Sequence, residues 1–223
     1  MRAEKLLIAA GLAVALAGCA ARGRPPVAGE PIDRAGDAGA AIGADAAART
    51  KPLVGGCGPA PGNLRPRYVL PFAPGEPFDL TQGNCGRASH TGRFSYSYDF
   101  RMPIGTPVIA ARDGIVHGVR DDRPDGSGVV GDENFVIVAH GDGEYSRYIH
   151  LTTGGALVHK GDRVSRGDTI ALSGHSGRSR FPHLHFDVAR ACRPGPCRTV
   201  PSAFLNAEPP IPVGRRPYAA GGF

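Results

Sequence analysis

The chain lacks a long apolar run and a basic run, and its central region lacks any sustained helical period. Its apolar stretch near the N-terminus, Leu6 to Ala17, falls short of the about 20 residues a helix needs to span a bilayer's hydrocarbon core. Lys and Arg total 26 against 20 Asp and Glu, yet no basic cluster interleaved with aromatics stands out. That argues against nucleic acid as a partner. The modest positive excess suits either an anionic polymer or plain solubility. Cysteine is scarce, with 5 in 223 residues, and the paired Cys-x2-Cys spacing of a four-cysteine zinc site is absent. Between residues 63 and 208 no stretch repeats apolar residues with a helical period, which excludes a helix-built core there.

What is present is a series of short apolar-rich runs separated by Gly-rich turns. Tyr96–Phe100, Pro107–Ala110, Gly114–Val119, Asn134–His140, Tyr145–His150, Thr169–Ser173 and His183–Val188 read as strands. Gly141-Asp142-Gly143 joins two of them as a hairpin. Strands this frequent, without helices between them, predict an all-β fold built from a pair of sheets. Asp121 to Asp132 reads as a polar, Gly-rich surface loop with no chemistry of its own. Residues 19–62 are rich in Ala, Gly, Pro, Asp and Arg, and too poor in large apolar groups to offset their ordering entropy, so they read as a flexible tether. The Pro- and Gly-rich residues 209–223 read as an irregular tail, leaving 63–208 as the domain.

The chemistry concentrates at His183-Leu184-His185. Successive strand residues face opposite ways, so the two imidazoles share a face, about 7 Å apart. A core strand would want Leu or Val at both places. Upstream stand Asp99 and Tyr148-Ile149-His150-Leu151. Two neutral imidazoles and a carboxylate are a ligand set with which proteins hold a catalytic zinc while keeping one position open.

The N-terminus reads as an export signal over residues 1–18, with Arg2 and Lys5 before the apolar run. Leu16-Ala17-Gly18-Cys19 resembles the lipobox of bacterial lipoproteins. That resemblance implies a lipidated Cys19, anchored to a membrane by several acyl chains. With Ala20, not Asp, after the cysteine, it implies the periplasmic face of a Gram-negative outer membrane. Cys57, Cys85, Cys192 and Cys197 remain, and in an exported chain an even number suggests two disulfides, with three pairings open. Arg-Pro-Gly-Pro between Cys192 and Cys197 would turn the chain back, which makes that pair the first choice and Cys57–Cys85 its complement.

Several short segments occur in a fixed order: Tyr98-Asp99-Phe100 with Met102-Pro103, Gly105-Thr106-Pro107-Val108, and Ala110-Ala111-Arg112-Asp113-Gly114. Asn134-Phe135-Val136-Ile137, His140-Gly141-Asp142-Gly143, Tyr148-Ile149-His150-Leu151 and Gly161-Asp162-Arg163-Val164 follow. Ser173-Gly174 and Pro182-His183-Leu184-His185-Phe186 close the series. Together they resemble the M23 family of zinc metallopeptidases, the lysostaphin-type peptidoglycan endopeptidases.

The resemblance implies an antiparallel β-sandwich of the duplicated hybrid motif type, with a groove over one sheet. It also implies one Zn2+ per chain, held by a first His, by Asp99 and by His185. The first ligand commonly stands four residues before the Asp, where this chain has Ser95, and the nearest upstream histidine is His90. A subset of the family has a longer loop there, which nominates His90. His150 and His183 take the catalytic places beside the metal, passing a proton between water and the departing amine. The implied activity is hydrolysis of peptidoglycan stem-peptide crosslinks, at a D-Ala–diaminopimelate link in a Gram-negative wall. The alternative is a metal-free relative that binds peptidoglycan or activates a separate amidase, which would make an envelope regulatory protein a partner. Sugar-transport phosphocarriers resemble this fold and also use two histidines, but an export signal argues against cytosolic phosphotransfer.

Other residues have plainer readings. Asn134 opens a strand and reads first as a backbone-bonding turn residue; because it matches a family position near the groove, it is also a candidate for the substrate groove, as is His175, on the turn before His183. Arg178 and Arg180 share that turn and could meet a carboxylate of an anionic peptide, although solvation is the simpler explanation. Tyr96, Tyr98 and Tyr148 read as packing residues with hydroxyls at the sheet edge. His117 and His159 read as solvated, and His140 as structural.

Overall fold

The structure, a computed structural model, describes residues 57–58, 61, 63–190 and 197–222. The expected export signal, Cys19 and the Cys192–Cys197 pairing lie outside the described residues.

The regular structure of the described residues is β almost throughout. In chain order the strands are β1 (Phe78–Gln82), β2 (Ser97–Arg101), β3 (Pro107–Ile109), β4 (Gly114–Arg120), β5 (Phe135–Ala139) and β6 (Tyr145–Ile149). Then come β7 (Leu151–Ala156), β8 (Arg163–Val164), β9 (Thr169–Ser173), β10 (His183–Arg190), β11 (Arg198–Thr199) and β12 (Pro217–Tyr218). A single 3-10 turn, Gly92–Phe94, is the one helical element among the described residues. Nine strands form one antiparallel sheet, ordered β12-β1-β2-β10-β6-β5-β4-β8 with β11 also on β10. A smaller sheet runs β3-β9-β7. The all-β two-sheet architecture is as the sequence pattern predicts, and its antiparallel pairing is as the family resemblance implies.

Period-two alternation explains which side of the large sheet packs. Tyr98 and Phe100 of β2, Val136 and Val138 of β5, Tyr148 of β6, and Leu184, Phe186 and Val188 of β10 enter one core. Val108, Leu151 and Ile170 of the small sheet complete it. The aromatic rings meet edge to face, Tyr148 on Phe186 at 5.4 Å and Phe72 on Phe100 at 5.2 Å between centroids. Such pairs contribute about 0.5–1.5 kcal/mol beyond their buried area. The intervening residues Asp99, Arg101, Ile149, His183 and His185 are thereby turned to the opposite face, where the groove lies.

Several expectations are corrected. The hydroxyls of Tyr98 and Tyr148 lie inside the core, not at the sheet edge. Tyr98 donates to Ser202 O at 2.9 Å, while Tyr148 accepts from Ala111 N at 2.7 Å. The tail is not wholly irregular: Tyr218 and Pro217 pair with Phe78 and Asp79, closing the sheet beyond β1. The expected Cys57–Cys85 disulfide is present, with Cα atoms 5.5 Å apart, and it ties the end of the expected tether to the domain. The strand Phe78–Gln82 lies in a Pro-rich stretch, and β7 carries two adjacent glycines, so neither stood out by composition.

Candidate metal centre

The site forms where β2 and β10 run side by side. Their register sets Asp99 opposite His185 and Arg101 opposite His183. Neither strand brings His90. It arrives on the loop between β1 and β2, a segment tied at several points. Gln82 Oε1 accepts from Ala88 N and Ser89 N, His90 N donates to Gly86 O at 3.0 Å, and Cys85 N donates to Ser95 O at 2.7 Å. The disulfide to Cys57 holds the same loop. Ser95 turns away, its hydroxyl donating to Gly92 O at 2.8 Å.

The result is a buried cluster of His90, Asp99 and His185, whose ligand atoms lie within 4.8 Å of one another. His90 Nε2 is 3.1 Å and His185 Nδ1 is 2.9 Å from the same oxygen, Asp99 Oδ1. The other carboxylate oxygen accepts from Gln82 Nε2 at 3.0 Å. His90 Nδ1 lies 2.9 Å from Gly83 O, to which only a protonated nitrogen can donate, so in the neutral ring Nε2 is unprotonated with its lone pair free to bind a metal. His185 Nε2 in turn donates to Asp187 Oδ2 at 3.0 Å, leaving Nδ1 facing inward. Asp187 is itself held by Arg147, through Nε at 2.7 Å and Nη2 at 2.8 Å.

These residues fit a zinc ion. Two imidazole nitrogens and a carboxylate oxygen face one point, and each imidazole is oriented by an acceptor on its far side, as metal-bound histidines usually are. The field at the point also favours positive charge. Burial would lower His185, but hydrogen bonds and charge from Asp187 and Asp99 override it and raise the ring to about 9. Burial would raise Asp99, but bonds and charge from His185 and His90 hold it well below the usual carboxylate range.

His150 and His183 flank the cluster, their ring centroids 4.7 Å apart. His150 Nδ1 donates to Ser176 O at 2.8 Å and His183 Nδ1 to Phe181 O at 2.9 Å, so both present a bare Nε2. His183 Nε2 is 3.7 Å from Asp99 Oδ1. Burial, with the charges of His183 and His185, pushes His150 down to about 3. Burial also lowers His183, although Asp99 and the Phe181 carbonyl oppose the shift. His150 has φ +65° at the corner between β6 and β7, a conformation costly for a residue with a Cβ and typical of functional positions.

A groove of about 960 Å³ runs over this face, lined by Asp99, His150, His183 and His185 among others. Asn134 and His175 are not among its lining residues. Asn134 is fully buried, its side chain spent on Arg123 N, Arg123 O and Leu151 O. His175 bonds Ser179 Oγ at 2.9 Å, and Ser179 lies 3.1 Å from His183 Nδ1, so it reaches the site only through another residue. The Asp121–Asp132 loop is no bystander. Val130 and Gly131 line the groove, and Asp125 bonds Thr152 Oγ1 and, at 2.6 Å, His175 N.

Sequence reasoning missed Asp187, Arg147, Gln82 and Ser176. For Asp187 a signal was present, since the alternation that pairs His183 with His185 puts Asp187 on the same face. The other three act across loops or neighbouring strands and leave no local pattern.

Residues 93–195 match the family described as Peptidase family M23. The chain is 44% identical over 96 residues to the peptidoglycan DD-endopeptidase ShyA of Vibrio cholerae, an alignment covering 43% of this chain and 20% of that protein. It is 35% identical over 99 residues to the DD-carboxypeptidase/endopeptidase Mpg of Neisseria meningitidis serogroup B, covering 44% and 21% respectively. The catalytic domain of a prophage-encoded M23 protein from Enterococcus faecalis, in a point-mutant crystal structure, is 28% identical with a TM-score of 0.43, covering 58% of this chain and 94% of that one. The chain spans about a fifth of the length of the two curated relatives. His90 lies just ahead of the matched segment. By that match, residues 93–195 are similar to the M23 peptidase family domain.

Proposed function

We propose that this domain is a zinc-dependent endopeptidase that hydrolyses peptide crosslinks of peptidoglycan in the cell envelope. The observation that carries the reading is the convergence of His90, Asp99 and His185 on one point, with the bare Nε2 atoms of His150 and His183 beside it. Relatives named as peptidoglycan DD-endopeptidases support the substrate, and a D-Ala–diaminopimelate link is the bond we assign. No observation favours the non-catalytic alternative, since every position of the expected constellation is filled.

His90 Nε2, Asp99 Oδ1 and His185 Nδ1 would hold one zinc ion per chain. Once bound, the ion supplies Lewis acidity toward a peptide carbonyl and lowers the pKa of water toward about 7. The groove orients the peptide across the sheet and excludes part of the solvent. His150 and His183 handle protons. Each has Nδ1 committed to a carbonyl, so Nε2 is the atom that accepts a proton from water and returns it to the departing amine. Asp99, 3.7 Å from His183 Nε2, opposes the downward shift that burial gives that ring. Burial opposes charge on His150.

The cellular setting belongs to the same proposal and rests on the sequence. A lipidated Cys19 and a tether over 19–62 would hold the domain at the periplasmic face of the outer membrane, within reach of an envelope regulatory protein.

The test is to purify the chain, measure zinc per chain and incubate it with crosslinked sacculi beside His90→Ala. Stoichiometric zinc and released uncrosslinked peptides, both lost in the variant, are expected. Intact sacculi after treatment with zinc-loaded protein would overturn the hydrolase.

A further inference from the structure

We infer that the groove selects peptides bearing free carboxylates on both sides of the scissile bond, and that Arg93, Arg101 and Arg180 read them. The inference rests on the peptidase reading of the same site and adds its substrate chemistry. The groove is walled by arginines from separate elements and contains no lysine among its lining residues. Arg93 comes from the 3-10 turn, Arg101 from β2, Arg178 and Arg180 from the loop before β10, and Arg215 from the C-terminal segment. None of these five has a carboxylate within ion-pair distance among the described residues. The groove's other arginines are engaged: Arg147 with Asp187, Arg120 with the carbonyl of Glu133, and Arg216 with Tyr218 and the carbonyl of Glu208.

Two of the free guanidiniums are already oriented. The Arg101 guanidinium carbon lies 4.5 Å from the Phe181 ring centroid, and that of Arg93 lies 4.7 Å from the centroid of Phe94. Stacking occupies the guanidinium face and leaves its in-plane N–H groups for an acceptor, the geometry that suits a bidentate carboxylate. Their positions bracket the candidate centre. Arg101 stands opposite His183 in the strand register, with Arg180 on the adjoining loop. Arg93 stacks on Phe94, which also packs under Arg147, and Arg147 stands opposite Asp187 at the other end of the row. Unpaired like charges around one concavity repel one another and concentrate an anionic ligand there. A neutral peptide backbone has no use for such a wall.

The test compares two crosslinked stem-peptide dimers, one with free carboxyl groups and one with the same groups converted to primary amides. The zinc-loaded full chain is expected to cut the acid form with kcat/KM at least about 10-fold higher, the preference residing in KM. Arg93→Ala, Arg101→Ala and Arg180→Ala, all at exposed positions, are expected to erode the preference without lowering kcat on the amide form. Equal kcat/KM for both dimers in the unaltered protein overturns the inference and leaves the hydrolase standing. Cleavage of neither overturns the hydrolase. Fluorescence anisotropy with labelled dimers then decides the inference by itself: tighter binding of the acid dimer upholds it, and equal binding overturns it.

Discussion

His185 Nε2 sits 3.0 Å from Oδ2 of Asp187, two residues along the same strand, and this bond turns His185 Nδ1 toward Asp99. A carboxylate behind a ligating imidazole fixes its orientation and raises its basicity, and losing such a partner typically costs 10–100-fold in metal affinity. Asp187→Asn keeps an acceptor in place but removes the charge. It is expected to weaken zinc binding by about 10–100-fold. Competition against a chelator of known affinity measures this, with circular dichroism to confirm the fold. Unchanged affinity would mean that Asp187 serves only to bind Arg147.

His150 and His183 lie outside the three-donor cluster, so their loss should separate chemistry from metal binding. His150→Ala and His183→Ala are each expected to lower kcat by about 10²–10⁴-fold while zinc stays near one per chain. Metal loss in the His183 variant would move that residue into the ligand set.

The Cys57–Cys85 disulfide anchors the loop that delivers His90. Closing a loop of sequence separation 28 is worth about 3–4 kcal/mol in the chain-entropy model. Replacing both cysteines by serine is expected to lower Tm and, because His90 is freed with its loop, to weaken zinc binding as well. Calorimetry and metal titration read the two effects separately. A fall in Tm with unaltered zinc affinity would show that Gln82 and the backbone bonds suffice to place His90.

Gly174 passes so close to β7 that a Cβ there would lie 2.2 Å from Thr152 N. The obstacle is backbone, which cannot rotate away. Gly174→Ala is expected to destabilise the domain by about 1–3 kcal/mol and, by shifting Ser176, to misplace His150. Thermal denaturation and kcat measure the two parts, and a variant matching the parent in both would refute the packing argument.

Tyr148 offers a pH test away from the candidate centre. Burial pushes its hydroxyl up to about 12, although bonds from Ala111 N and Ser146 lower it in part. A group whose pKa is raised on folding contributes stability fully present below its unfolded value, near 10, and loses it as pH climbs through the folded value. Stability should therefore decline between about pH 10 and 12. Tyr148→Phe, although less stable at neutral pH, should show a shallower decline. Parallel slopes in denaturant titrations would remove Tyr148 from the account.

Much of the frame was legible because strand alternation is local. His183 and His185 sharing a face, Tyr98 and Phe100 facing the core and the absence of a helical period all follow from residues one or two apart. His90 was reachable only through the family likeness, since nothing near Ser89-His90-Thr91 marks it as buried. Asn134 could not be placed from the sequence alone, because a polar residue opening a strand looks the same whether it faces a substrate or ties down a loop; its side chain does the latter. Arg178 and Arg180 looked like ordinary solvated charges until Arg93, Arg101 and Arg215 came to stand around the same groove.

Composition and periodicity alone determined that this chain would build β-sheets and turn two imidazoles to one side of a strand, because those properties depend on neighbours along the backbone. Tertiary structure decided that His90 joins Asp99 and His185, that Arg147 steadies Asp187 from another strand, and that five unpaired arginines share one concavity. Those relations join residues as many as 122 positions apart, between Arg93 and Arg215. The register of β10 against its neighbours and the cross-linked loop bring them together, and no local pattern encodes either.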